Sequence, residues 1–86
     1  MFALIWSNTA LDELAEVYVA ATVEERERMA SSVAALNARL GSDPLNEGES
    51  RTGGFRITFP TLLAVVFHVA EKDRIVRVTA VRRFGN

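Results

Sequence analysis

The side chains of this 86-residue chain permit a narrow range of chemistry, because it has one histidine, no cysteine and ten basic residues, nearly all arginine. His68 is the side chain that titrates near neutrality, so proton transfer at physiological pH would fall to it. The arginines hold their protons above about pH 12, which makes them clamps for phosphate or carboxylate and poor acids or bases. The plainer reading of His68 is a half-exposed strand residue beside Val66. For Arg51 and Arg56 it is a solvated or ion-paired surface position. Arg77, Arg82 and Arg83 crowd one short segment, where like charges repel unless an anionic partner meets them. Trp6, Tyr18 and Phe84 are more often packing residues than stacking platforms for bases. Without cysteine there is neither a disulfide framework nor a thiolate site, and a single histidine gives no multi-histidine ligand set. Neither a metal nor a cofactor is expected.

The charge is unevenly spread. The formal net charge is −1, which by itself speaks against non-specific nucleic-acid binding. Residues 1–50 carry three arginines against nine acidic residues, whereas residues 51–86 carry seven basic residues against Glu71 and Asp73. A basic surface is therefore compatible with a neutral total.

These residues must be positioned by elements that the hydrophobic pattern outlines. Hydrophobic residues are 49% of the chain and charged residues 24%, the composition of a folded globular protein. The length allows one core, so residues 1–86 are read as a single domain. Phe2 to Trp6 is a short apolar run ended by Ser7-Asn8-Thr9, which predicts a strand. Leu11, Leu14, Ala15, Tyr18 and Ala21 recur at helical spacing from about Asn8. Thr22 and Glu25 have capping-box spacing, which starts a second helix with Met29, Val33, Leu36 and Leu40 as its buried stripe and Gly41 as its left-handed cap. Ser42 to Ser50 is turn-rich, and Gly53-Gly54 closes it. Phe55–Phe59, Leu62–Ala70 and Ile75–Arg83 are dense in Val, Ile and Phe and read as a meander.

The expected fold class is α+β, in the order β-α-α-β-β-β, with a helical hairpin packed on one face of an antiparallel four-stranded sheet. Period-two alternation then assigns Phe55, Ile57 and Phe59 to the helix side, together with Val65, Phe67, Val69, Val76, Val78 and Ala80. Arg56, Thr58, His68, Arg77, Thr79 and Arg83 fall on the other face. No apolar run approaches the roughly 18 residues of a membrane span, and the amino terminus turns polar too soon for a signal peptide, so a cytoplasmic protein with no membrane partner is expected.

This layout resembles the RelE/ParE toxins of type II toxin–antitoxin systems. The resemblance is carried by Trp6, Ala10 and Leu14, Asp43-Pro44 with Gly48 downstream, Gly54-Phe55-Arg56, and a Val-rich last strand ending in Arg82-Arg83. It implies a toxin neutralised by a cognate antitoxin, acting either on mRNA in the ribosome or on DNA gyrase. RNA cleavage would require activation of a ribose 2′-hydroxyl, support of a pentavalent phosphate and protonation of the leaving oxygen. By that resemblance Arg56, His68 and Arg83 become the candidate catalytic residues, and Arg51, Arg77, Arg82 and Phe84 the candidate nucleic-acid or partner-binding residues. The pattern is depleted: Thr58 stands where RelE-like toxins often have Lys, Leu63-Ala64 where they often have Tyr-Arg, and Phe84 where a titratable Tyr or His would serve. A ParE-like inhibitor of gyrase that performs no catalysis, or a decayed module that only binds its antitoxin, are the alternatives.

Overall fold

The computed structural model describes residues 1–85 as a helical hairpin on a five-stranded mixed sheet. The elements are β1 (Ala3–Trp6), α1 (Asn8–Ala20), α2 (Val23–Ser42), β2 (Glu49–Ser50), β3 (Phe55–Thr58), β4 (Leu63–Ala70) and β5 (Ile75–Arg83). Their order in the sheet is β1-β5-β4-β3-β2. The expected α+β layout is present, with two differences. The first strand pairs in parallel with β5, so the sheet is mixed and not antiparallel throughout. A two-residue strand, β2, adds to the edge at β3. Its segment is polar and turn-rich, and it pairs because the chain runs back beside β3, without any strand-forming pattern of its own.

Both helices begin where their caps dictate. The Ser7 hydroxyl accepts from the Ala10 amide and opens α1. Thr22 and Glu25 form the reciprocal capping box at the start of α2. Arg26 donates to the Tyr18 carbonyl at 2.6 Å and the Val19 carbonyl at 3.3 Å, placing a cation on the carboxyl end of α1, where the helix dipole favours it. Gly41 does not end α2. The helix runs through Ser42, and the Gly41 carbonyl accepts from the Phe2 amide at 2.8 Å, which ties the entry of β1 to the helix.

The core joins Met29, Leu36 and Leu40 of α2 to Leu63, Val65, Phe67 and Val69 of β4 and Val76, Val78 and Val81 of β5. On α1 the buried stripe is Ala10, Leu14, Val17 and Tyr18, with Leu11 left 48% exposed. That stripe is rotated from the expected one because α1 lies against β5 and buries the side carrying Ala10. Trp6 packs against the core and donates its indole N–H to Asn37 Oδ1 at 3.0 Å, joining β1 to α2. No described helix is long and apolar enough to cross a membrane.

Candidate functional site on the open sheet face

Strand register decides which functional side chains share a surface. Leu63, Val65, Phe67 and Val69 are buried, so the intervening Ala64, Val66, His68 and Ala70 mark the face turned away from the helices. On β3, Phe55 pairs with His68 and Ile57 with Val66, which places both on that open face. Arg56 pairs with Phe67, and Thr58 with Val65, on the helix side. This reverses the expected phase of β3. Thr58 is 6% exposed, and its hydroxyl donates to Glu47 Oε2 at 2.5 Å.

Arg56 therefore belongs to an internal polar cluster at the sheet margin. Its guanidinium donates to the Glu47 carbonyl at 2.8 Å and the Gly48 carbonyl at 3.2 Å. The Glu47 carboxylate in turn accepts from Arg39 Nε at 2.7 Å, and this hydrogen bond, with that of Thr58, holds its pKa below the ordinary carboxylate value against the opposing effect of burial. The cluster fastens the end of α2 and the following loop to β3. Gly48 has a φ of 66°, and a Cβ there would overlap the backbone carbonyl of Ile57, so the loop can approach the strand only with glycine at this point.

The last strand carries a second change of phase. A bulge lies opposite Val66 and Phe67, with Val66 paired to Ala80 and Phe67 to Val78. The extra residue is Thr79, whose hydroxyl donates to the Val66 carbonyl at 3.3 Å. After the bulge Val81 is buried with the core, Ala80 and Arg82 turn to the open face, and Arg83 turns to the helix side opposite Leu63. Ala80 and Arg83 thus exchange the faces expected for them. The Arg83 guanidinium donates to Glu25 of α2 at 2.9 Å, and this bond draws the Glu25 pKa down to about 2. Arg82 instead reaches Glu13 of α1 at 3.2 Å. Glu13 also accepts from the Val81 amide at 2.9 Å, replacing a strand partner where β1 has ended and the chain has turned into α1.

The open face is consequently organised in cross-strand rows. One row runs Ile5, Arg77, His68 and Phe55. The next runs Ala80, Val66, Ile57 and Glu49. A third contains Arg82 and Ala64. The His68 ring meets the Phe55 ring edge-on with centroids 4.9 Å apart. Gly54, with a φ of 84°, permits this packing, since a Cβ there would lie 2.9 Å from His68 Nε2. The Phe59 and Phe84 rings, just past the ends of β3 and β5, pack at 4.7 Å and are 47% and 55% exposed.

Of the expected catalytic residues, the fold keeps His68 on the open face and places Arg56 and Arg83 on the helix side, each engaged with other groups. It brings His68 beside Arg77, its cross-strand partner. Arg51 stands at the rim, where it pairs with Glu49 at 3.2 Å. Among the described residues, no three histidine or carboxylate side chains gather as a metal site. Chemically, this face offers an imidazole and a guanidinium side by side, a second arginine about 13 Å along the strands, and apolar side chains between them. Sequence reasoning passed over Phe55 and Ile57 as members of this surface, because apolar strand residues are ordinarily read as core. No family model, curated protein or solved structure matches the chain.

Proposed function

We propose that this chain is the growth-inhibiting toxin of a type II toxin–antitoxin pair of the RelE/ParE type, acting in the cytoplasm and restrained by a cognate antitoxin. The observation that carries the reading is architectural. A strand, two helices and four further strands, in that order, place a helical hairpin on one side of the sheet and leave the other side to arginine, histidine and exposed apolar residues. Such a surface suits inhibition by occupancy of a target. Arg56 and Arg83 are held on the helix side by Glu47, Gly48 and Glu25, away from His68. This separation favours binding, as in ParE-like inhibition of DNA gyrase, over a concerted acid–base mechanism. The test is induced expression with and without the gene of the candidate antitoxin, followed by assay of gyrase-dependent DNA breaks. Growth arrest with such breaks supports the reading, and normal growth rejects it.

The adjacency of His68 and Arg77 supports a second reading, ribosome-dependent mRNA cleavage. Here His68 would accept the proton of the attacking 2′-hydroxyl while Arg77 held the phosphate. Codon-phased cuts in translated transcripts, lost with His68→Ala or Arg77→Ala, would distinguish it from gyrase inhibition.

A further inference from the structure

We propose that the groove between α2 and the turn joining β3 to β4 binds a small sugar phosphate, with Arg28 and three hydroxyl groups on the phosphate and Glu27 on the sugar. The site goes beyond the function proposed above and does not depend on it, since α2 covers the side of the sheet opposite the open face.

Helical spacing builds one wall of the groove. Glu27, Arg28, Ser31 and Ser32 are separated by one, three and four residues, which gathers them on one stretch of the α2 surface. Thr61 forms the opposite wall. Its amide donates to Ser32 Oγ at 2.8 Å, so the two walls are already fastened together. The turn is held from its other side as well, because Pro60 is buried and its carbonyl accepts from the Leu63 amide at 3.0 Å. The groove is open to solvent and has a volume of about 620 Å³, enough for a small molecule.

The polar groups that line it have spare capacity. A serine inside a helix can return its hydroxyl to the carbonyl four residues back, as Ser42 does to Ala38 at 3.1 Å. Ser31 and Ser32 make no such bond among the described residues, and the hydroxyls of Ser31, Ser32 and Thr61 donate to no protein group there. Arg28 follows Glu24 by four residues, a spacing that favours an ion pair, yet none forms among the described residues. Glu27 is likewise without a cation within ion-pair distance there. Three hydroxyls, a guanidinium and a carboxylate thus line one solvent-filled space.

Their chemistry selects the ligand. A guanidinium flanked by hydroxyl donors matches the oxygens of a phosphomonoester. Glu27 repels a bare anion but accepts hydrogen bonds from the hydroxyl groups that a sugar carries next to its phosphate. The lining holds no aromatic ring on which a base could stack, so a sugar phosphate suits it better than a nucleotide. Apolar side chains, which an aliphatic ligand would need, are also absent from it.

The probe is ribose 5-phosphate, titrated into the isotope-labelled protein alongside inorganic phosphate, ribose and adenosine monophosphate. Ribose 5-phosphate should shift the amide signals of Arg28, Ser31, Ser32 and Thr61 with a Kd of about 1 mM or below, and the other three should bind more weakly. Arg28→Gln should weaken binding about tenfold through loss of the charged contact. Glu27→Ala should cut the preference for ribose 5-phosphate over inorganic phosphate about fivefold, because the repulsion it relieves is common to both ligands and the sugar contact is not. Both side chains are exposed, and unchanged melting curves show that the variants fold. The proposal is overturned if ribose 5-phosphate shifts no groove amide at about 10 mM, or if the shifts centre on Arg77 and Arg82 of the open face. It is equally overturned if phosphate, ribose or adenosine monophosphate binds as tightly, or if either substitution leaves its ratio unchanged.

Discussion

The two adjacent arginines at the end of β5 show how a single residue position changes a side chain's role. Arg83 is turned toward α2 and bound by Glu25, which also completes the capping box of that helix. With its pKa lowered from 4.5 to about 2, Glu25 contributes stability that is fully present above the unfolded value and is lost as pH falls through the folded one. The melting temperature should therefore decline between about pH 4.5 and pH 2, and Glu25→Gln should flatten that part of the profile. An unchanged slope in the variant would show that other carboxylates govern the acid limb. Thr58 is the comparable case at the opposite margin. Thr58→Val keeps the shape but removes the hydrogen bond to a charged, mostly buried acceptor, with an expected loss of about 1.5–3 kcal/mol in urea unfolding. The chemical limits on the residues were legible in the sequence: one histidine, no thiol, and arginine as the main cation. Their partners were not, because Glu13, Glu25 and Glu47 meet Arg82, Arg83 and Arg39 through tertiary approach and not through a local spacing rule.

At the scale of elements, the two helices and the three later strands could be read from periodicity and caps, and what escaped was phase. Phe55, Ile57 and Phe59 alternate with Arg56 and Thr58, and the alternation identifies two faces without saying which one the helices cover. Here the apolar set is left on the open side, and the polar set turns under the Glu47 loop, where Thr58 is buried and both it and the Arg56 guanidinium hydrogen-bond to that loop. The bulge at Thr79 was equally hidden, since Ile75–Arg83 reads as one uninterrupted run. Deleting Thr79 tests the meaning of that extra residue. Val81 would be forced out of the core or the Arg82-Arg83 pair would exchange faces. The expected outcome is a large drop in melting temperature and loss of the Glu25 contribution to the acid profile. A variant that melts normally would show that β5 can slip without cost.

For the molecule as a whole, stability resides in the layer between α2 and the strands. Leu36 is fully buried there, and Leu36→Ala should cost about 2–5 kcal/mol, read as a shift in the urea midpoint with the slope preserved. The open face should behave in the opposite way. Val66→Ala or Arg77→Ala should change stability by less than about 1 kcal/mol while altering any partner binding, which melting curves and binding calorimetry separate. The separation follows from the architecture, in which the core lies on one side of the sheet and the candidate interface on the other.

The parallel pairing of β1 with β5 has a consequence for how the chain is made. These strands sit at opposite ends of the sequence, with Ala3 opposite Ile75 and Trp6 opposite Val78, and the ladder between them is a contact of very high sequence separation. During synthesis β1 emerges first and has no strand to join until residues 75–78 have left the ribosome. Until then its amides and the Trp6 side of the core can be held only by α2, through Gly41 and Asn37. The sheet can close only after β5 arrives, so a nascent chain halted before Ile75 should remain protease-sensitive however long it waits.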